Sequence, residues 1–315
     1  MKSKKYWLTM SDNHSVYLRK WEDVETPTAI VQIAHGMAEH IERYHGLAQF
    51  LNNHQIIVYG NDHRGHGETG NRANTQGFLG KRNGFDRTAQ DLKEITSFIR
   101  NEQPDLPIFL LGHSMGSFLS RRYLSFADRE LSGAIFIGTS YQPPLLLHMG
   151  KFLARLNIAI QGKKTPATFL NKLTFANYNK KTEANTAFDW LSSDKEIVKN
   201  YIEDPYCGFL PSNQFFYDLY EGIGKIQDNR YAEAIDKELP LLFLTGDQDP
   251  VSQYSQGMLK AVHFYRKVGL ENITYHIFKD KRHELLNEKN KQEIYQYIFT
   301  WIKEHITCME TTKSL

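Results

Sequence analysis

The chain has 315 residues, 41% of them hydrophobic and 23% charged, with a formal net charge of +2 at pH 7. This is the composition of a globular protein, and so small a charge excludes the strongly basic surface of a nucleic-acid-binding protein. The two cysteines, Cys207 and Cys308, are too far apart for a CxxC metal pair and too few for a disulfide framework.

The length predicts one domain with a large insertion. The N-terminal residues include several lysines but no apolar run of secretory-signal length, and no segment reaches the length of a transmembrane helix. We therefore expect a soluble cytoplasmic protein that meets a membrane only at its surface.

Short apolar segments alternate with longer amphipathic ones along most of the chain. Apolar residues on both sides of a polar turn at 11–14 predict an N-terminal hairpin. Further strands are predicted at 29–34, 55–60, 107–112, 133–138, 240–246 and 273–278. Helical spacing of apolar residues occurs between and after them, as at 41–54, 85–99, 255–268 and 289–306. This alternation predicts an α/β fold, with a mostly parallel sheet covered by helices on both faces.

The alternation stops between Tyr141 and Asp236, where the pattern is helical and contains no convincing strand. This interruption predicts a helical cap, or lid, at 141–236, inserted into a core formed by 1–140 and 237–309. We expect residues 310–315 to form a disordered tail.

The sequence LLGHSMGS places Ser114 between Gly112 and Gly116, after a predicted strand and before a predicted helix. Chance alone produces G-x-S-x-G in about one in ten chains of this length. The strand–helix context makes the motif informative, because a nucleophile elbow requires it. The elbow is so sharp that glycines are needed on both sides of the serine. Ser114 is therefore the candidate nucleophile.

A serine nucleophile needs a base, and an acid to orient that base; in this fold both follow the serine in the chain. The segment LTGDQDPV offers Asp247 and Asp249. Asp249 is favoured, because it lies further into the loop and Pro250 biases it toward an extended conformation. Of the later histidines, only His283 lies in a loop after a strand. The other three, in predicted helices or a strand, are His263, His276 and His305.

Acyl transfer also requires N–H donors for the oxyanion. The N–H group of Met115 stands at the start of the helix after Ser114. The N–H group of Met37 follows Gly36 in HGMAEH, directly after the strand 29–34. Gly36 allows this loop to approach the serine closely. We predict that these two N–H groups form the oxyanion hole.

Several motifs, in order along the chain, resemble the monoacylglycerol lipase and lysophospholipase group of the α/β-hydrolases, to which serine-aminopeptidase-like hydrolases also belong. They are HGMAEH, DHRGHGET, GHSMGS, GDQDPV and RHELLNE. The resemblance runs from about residue 10 to 305, and FDWLSSD and DPYCGF resemble bacterial members in particular. It implies an α/β-hydrolase fold, a catalytic triad of Ser114, Asp249 and His283, and an oxyanion hole from Met37 and Met115.

Two positions depart from the pattern of this group. Ala38 and Asp280 stand where relatives have glycine. Neither change removes a catalytic group, so we expect an effect on the rim of the pocket only.

No metal and no organic cofactor is expected. The alternative is a metal site that uses His63 and His66 of NDHRGHGETG with His35 or His40. The spacing of these histidines matches no metal-binding motif. We interpret Asp62 and Arg64 of the same segment as structural braces beside the active site.

The predicted cap is unevenly charged. Residues 141–181 include seven basic and no acidic residues, whereas 182–236 include eleven acidic and four basic ones. One helix face in the first half is apolar and is formed by Leu145, Met149, Phe152, Leu153, Leu156 and Ile160. Beside cations, such a face suits transient contact with a membrane or micelle. The alternative is that it packs on the core and lines an acyl tunnel.

Aromatic residues of the second half of the cap belong either to the wall of the pocket or to the core. They include Trp190, Phe209, Phe215 and Phe216.

These features predict a serine hydrolase that cleaves carboxylic esters of monoacyl lipids, with a small acyl ester as substrate and no nucleic-acid partner. An amidase or aminopeptidase, or a perhydrolase, would use the same triad. A non-catalytic binding protein is the alternative from another class. A dehalogenase is disfavoured, because it needs an aspartate at position 114.

Overall fold

The structure is a computed structural model that describes residues 2–126 and 129–313. Its strands form a single sheet with the order β1-β2-β4-β3-β5-β6-β7-β8. They are β1 Ser3–Thr9, β2 Ser15–Trp21, β3 Ala29–Ala34, β4 Ile56–Asn61, β5 Ile108–His113, β6 Gly133–Ile137, β7 Leu241–Gly246 and β8 Ile273–Phe278. β1 and β2 form an antiparallel hairpin, β2 pairs antiparallel with β4, and the remaining pairs are parallel.

Helices cover both faces of this sheet, which confirms the predicted α/β-hydrolase fold. They are α1 His45–Asn53, α2 Gly67–Ala73, α3 Gly84–Glu102, α4 Met115–Leu124, α5 Pro144–Gln161, α6 Thr168–Phe175, α7 Lys195–Glu203, α8 Asn213–Ile226, α9 Asn229–Ala232, α10 Gln256–Lys267 and α11 Lys291–Lys313.

The central strands are buried on both faces, and successive residues belong to different apolar layers. On β5, Phe109 and Leu111 pack with α1 and α11, whereas Ile108 and Leu110 belong to the layer that contains α3, α4 and α8. This two-sided burial explains why the strands are continuous apolar runs rather than alternating patterns.

Five helices, α5 to α9, lie between β6 and β7, in the segment predicted to form the cap. Within it, α5 packs along α8. None of the described helices combines the length and apolar character needed to cross a lipid bilayer.

The last helix continues further than predicted. Residues 310–313, expected to belong to a disordered tail, extend α11 as far as Lys313, and residues 314 and 315 lie outside the described residues. The polar composition suggested disorder, but the segment contains no Gly or Pro that would end a helix.

Candidate active site

Ser114 occupies a sharp turn between β5 and α4. Its φ of 52° and ψ of −120° lie outside the regions that side-chain-bearing residues prefer. The turn is held by its N–H, which donates to the carbonyl of Ile137 at 2.8 Å. The side chain of Ser114 is only half-buried, so its hydroxyl is accessible to a ligand.

The two flanking glycines are required by close backbone packing. A Cβ atom on Gly116 would lie 2.0 Å from the carbonyl oxygen of Ala34 in β3. A Cβ atom on Gly112 would lie 2.5 Å from the carbonyl oxygen of Gly116. Any larger residue at either position would therefore displace the backbone that carries Ser114.

The structure pairs His283 with Asp249. Nδ1 of His283 lies 2.9 Å from Oδ1 of Asp249, and both side chains are buried. Asp249 also accepts hydrogen bonds from the N–H of Val251 and the hydroxyl of Thr245. Burial alone would raise the pKa of Asp249, but His283 and these donors outweigh it and lower that pKa. For Asp247, the other candidate acid, the structure shows a backbone hydrogen bond from its N–H to the carbonyl of Phe278.

The second ring nitrogen of His283 is available for proton transfer. Nε2 is buried and has no hydrogen-bond partner among the described atoms. The ring lies beside Trp190 and His113, with centroids 5.1 and 4.9 Å away. It also packs on Gly138, where a Cβ atom would lie 2.7 Å from Cε1 of His283. Sequence reasoning missed Gly138, whose position after β6 was the available signal.

The loop 35–40, which follows β3, lies directly beside Ser114. A Cβ atom on Gly36 would be 3.3 Å from Cβ of Ser114, so the N–H of Met37 is carried by a segment in contact with the serine. Met115 is the first residue of α4, and its N–H therefore has no acceptor within the helix. Met37 and Met115 line the same cavity as Ser114.

A buried ion cluster connects the loop 35–40 to the loop that carries His283. Arg43 donates to Glu39 at 2.7 Å and makes two 2.7 Å hydrogen bonds to the carboxylate of Glu284. Glu39 in turn accepts the N–H of Gly36 at 2.6 Å. Burial would raise the pKa of Glu39, but Arg43 and His113 hold it well below the ordinary value. Sequence reasoning missed this cluster, although an acidic residue next to His283 was a visible signal.

The cap segment FDWLSSD holds the histidine loop in place. The N–H of His283 donates to the carbonyl of Trp190, and that of Glu284 donates to Leu191 at 2.7 Å. The guanidinium of Arg282 adds hydrogen bonds to two further carbonyls of this segment. The cap therefore supports the histidine as well as covering the site.

A cavity of about 1060 Å³ is lined by both Ser114 and His283. Most of its other walls are apolar side chains of the cap, including Leu147, Leu153, Phe175, Trp190, Phe209, Leu219 and Ile223. Phe215 and Phe216 belong to the buried core instead. The cavity has the size and lining of a site for a small, largely apolar ligand.

The histidines considered for a metal site have other partners. His35 accepts the N–H of His63 on Nε2, and its Nδ1 lies 2.8 Å from the carbonyl of Gly36. Nδ1 of His66 lies 2.9 Å from the carbonyl of Arg64. His40 does not join them but pairs with Asp204.

The two predicted braces of NDHRGHGETG differ in what they hold. Asp62 accepts the N–H of Ile41, just after the loop 35–40, and the N–H of Glu68. Arg64 instead binds Asp91 of α3 and Asp12 of the turn between β1 and β2. Only Asp62 therefore braces the candidate site directly.

Comparison with known proteins identifies relatives over almost the whole chain. Residues 25–290 match the profile of the family described as serine aminopeptidase, S33. A monoglyceride lipase of Rattus norvegicus is 34% identical, covering 95% of this chain and 90% of its own. A monoacylglycerol lipase of Mycolicibacterium smegmatis is 27% identical, covering 91% and 92%.

A solved structure shows the same relationship. The carboxyl esterase of Bacillus coagulans, crystallised with glycerol, superposes with a TM-score of 0.89 at 27% identity over 97% of this chain and 99% of its own. The resemblance read from the motifs is therefore confirmed. The chain belongs to the serine aminopeptidase S33 family of α/β-hydrolases, together with the monoglyceride lipases.

Proposed function

We propose that this protein hydrolyses the carboxylic ester of monoacyl lipids, with monoacylglycerols as the preferred class. The observation that carries the proposal is the Asp249–His283 pair, because Nε2 of His283 has no hydrogen-bond partner among the described atoms and His283 lines the same largely apolar cavity as Ser114. The relatives named monoglyceride and monoacylglycerol lipase support this substrate class, as does an apolar cavity large enough for an acyl chain.

The reaction proceeds through an acyl-enzyme. Oγ of Ser114 attacks the acyl carbonyl carbon while its proton passes to Nε2 of His283, and Asp249 stabilises the imidazolium. The N–H groups of Met37 and Met115 stabilise the oxyanion. The C–O bond to the alcohol breaks as His283 returns the proton to the leaving oxygen. Water then attacks the acyl-serine by the same path and releases the fatty acid.

Replacement of the nucleophile tests this chemistry. Ser114→Ala should lower kcat by a factor on the order of 10⁵–10⁶ while leaving the fold intact, as judged by circular dichroism. Ser97→Ala, on α3, is the matched control and should leave kcat unchanged. A fluorophosphonate probe should label the wild type at Ser114. Substantial activity in Ser114→Ala, or no labelling, would refute the assignment.

A substrate panel separates the alternatives that share these groups. Monoacylglycerols and lysophospholipids of increasing acyl length should be compared with aminoacyl anilides and with a peroxide-dependent halogenation assay. We expect the highest kcat/KM for a monoacylglycerol. Faster cleavage of the anilides would identify an amidase, and faster halogenation a perhydrolase.

The outer face of α5 contacts the lipid surface that supplies the substrate. Phe152 is 61% exposed and Ile160 80% exposed, and Leu145, Met149 and Leu156 are exposed beside them. Leu153 and the partly exposed Met149 line the cavity, so the face divides between wall and solvent. Exposed cations such as Arg155 and Lys172 favour an anionic surface.

Vesicle binding tests this contact. Phe152→Gln combined with Leu156→Gln should weaken co-sedimentation with phosphatidylglycerol vesicles and lower activity on vesicle-borne substrate. Hydrolysis of a dissolved short-chain ester should not change. Tyr275→Gln, on β8, removes an exposed aromatic ring elsewhere and serves as the control. Equal vesicle binding by all three proteins would contradict the proposal.

A further inference from the structure

Three side chains with metal-binding atoms meet where the cap contacts the loop 35–40. His40 ends this loop, whereas Asp204 and Cys207 follow α7 in the cap. Nε2 of His40 lies 2.8 Å from Oδ2 of Asp204, and these atoms and Sγ of Cys207 all lie within 4.8 Å of one another. Within residues 2–126 and 129–307 this is the one such group of three.

The three residues could fill three of the four positions of a tetrahedral coordination sphere. Zinc–ligand bonds of about 2.0–2.3 Å place neighbouring donor atoms roughly 3.3–3.8 Å apart. A modest rotation of the side chains would bring the three atoms to that spacing. His40 and Cys207 are buried, whereas Asp204 is half-buried. Water can therefore reach the site as a fourth ligand.

We propose that His40, Asp204 and Cys207 bind a single Zn²⁺ ion that joins the cap to the loop 35–40. Imidazole, carboxylate and thiolate are all zinc ligands, whereas Mg²⁺ and Ca²⁺ require oxygen ligands. None of the three residues takes part in the ester hydrolysis described above. The site is therefore structural or regulatory and distinct from the catalytic cavity.

Binding requires the thiol to lose its proton to solvent, so that the new bond is between Zn²⁺ and a thiolate. Burial raises the pKa of the Cys207 thiol, and the nearby Arg43 opposes this only in part. Binding therefore releases a proton and should weaken as the pH falls.

Zinc at this position would strengthen an existing junction. The carbonyl of Ala38 already accepts hydrogen bonds from the hydroxyl of Tyr201 and the N–H of Gly208, at 2.8 and 2.9 Å. The metal would add bonds between the same two segments. Because a ligand that binds only the folded state stabilises it, zinc should raise the melting temperature.

Cobalt titration tests the site independently of catalysis. Reduced, tag-free protein treated with a chelator should bind one Co²⁺ and develop the near-ultraviolet charge-transfer band of a cobalt thiolate. Zn²⁺ at about a hundred times its Kd should abolish the band and raise the melting temperature by several degrees. Cys207→Ser should lose both responses, and His40→Gln should weaken binding at least tenfold.

Cys308→Ser is the matched control and should keep the band and the zinc response. Fluorophosphonate labelling of Ser114 in each variant verifies that the fold is retained. Absence of a thiolate band in the wild type, or its persistence in Cys207→Ser, would overturn the proposal. Loss of the band in Cys308→Ser would also overturn it, because the thiolate would then be the other cysteine.

Discussion

Glu284 should affect catalysis indirectly, by holding Arg43 rather than by contacting the substrate. Its carboxylate holds Arg43, which also binds Glu39, and Glu39 accepts the N–H of Gly36. The side chain thus connects the position of His283 to that of the loop carrying Met37. Small displacements of positioned groups reduce catalytic rates strongly.

We predict that Glu284→Gln lowers kcat about tenfold, because a neutral amide cannot hold the buried guanidinium as a carboxylate does. KM for a dissolved ester should change less than about threefold, since the acyl wall of the cavity is untouched. Steady-state kinetics measure both. Glu293→Gln, an exposed residue of α11, is the control. An unchanged kcat would show that the cluster only stabilises the fold.

The two departures from the family pattern share a backbone conformation. Ala38 has a φ of 53° and Asp280 a φ of 56°, in the left-handed region that glycine adopts without penalty. Glycine would therefore fit either position without strain. Ala38 lines the cavity, as expected for a residue at its rim. Asp280 is exposed and does not line it.

We predict that Ala38→Gly stabilises the protein by about 0.5–1 kcal/mol, because relief of the left-handed alanine exceeds the added chain entropy of glycine. Urea denaturation measures this change. Ala159→Gly, at an exposed position within α5, should instead destabilise by about 1 kcal/mol. Destabilisation by both substitutions would show that the strain at Ala38 is negligible.

At the scale of secondary-structure elements, the contact of α4 with β3 leaves no room for a side chain at Gly116. Gly116→Ala should destabilise the protein by several kcal/mol, because the added Cβ would lie 2.0 Å from a main-chain oxygen of β3. Gly224→Ala, in α8, has no atom within 4 Å of the added Cβ. It should stabilise by up to about 1 kcal/mol. Thermal melting compares the two variants, and similar melting temperatures for Gly116→Ala and Gly224→Ala would contradict the prediction.

The central strands β3 to β7 were predictable from sequence because each is buried on both faces and is therefore largely apolar. The exposure of α5 was not predictable from sequence. An apolar helix face predicts burial, but it does not specify which other segment will cover the face. Only packing showed that Phe152 and Ile160 face solvent while Leu153 lines the cavity.

At the scale of the whole molecule, acid should destabilise the fold partly through His35, His63 and His66. All three are fully buried, and burial lowers the pKa of His63 to about 3 and that of His66 to about 4. A lowered histidine pKa means that, between the two pKa values, the unfolded chain binds a proton that the folded chain does not bind. The free energy of unfolding therefore falls as pH drops from about 6.5 toward 4, by about 1.4 kcal/mol per pH unit for each group.

His66→Gln should remove one such group. The stability of the wild type relative to this variant should fall by about 2 kcal/mol between pH 6.5 and pH 5. Urea denaturation at several pH values measures the difference, which also cancels the contributions of other buried groups such as Asp62. Parallel pH profiles would show that folding does not lower the pKa of His66.

The sequence alone determined the strand order along the chain, the interruption by a cap, and the residues offered as nucleophile, base and acid. These follow from local properties: apolar runs, glycine spacing around Ser114, and the position of Asp249 and His283 after strands. Their pairing at 2.9 Å is found only in the structure.

The tertiary structure alone decided which distant side chains meet. Arg43 reaches Glu284 across 241 positions of sequence, and His40 reaches Asp204 across 164. Periodicity indicates which face of a segment is apolar, but it does not indicate which other segment will cover that face. The ion cluster, the His40–Asp204–Cys207 group and the exposed side of α5 all depend on that choice, which is made by packing rather than by local sequence.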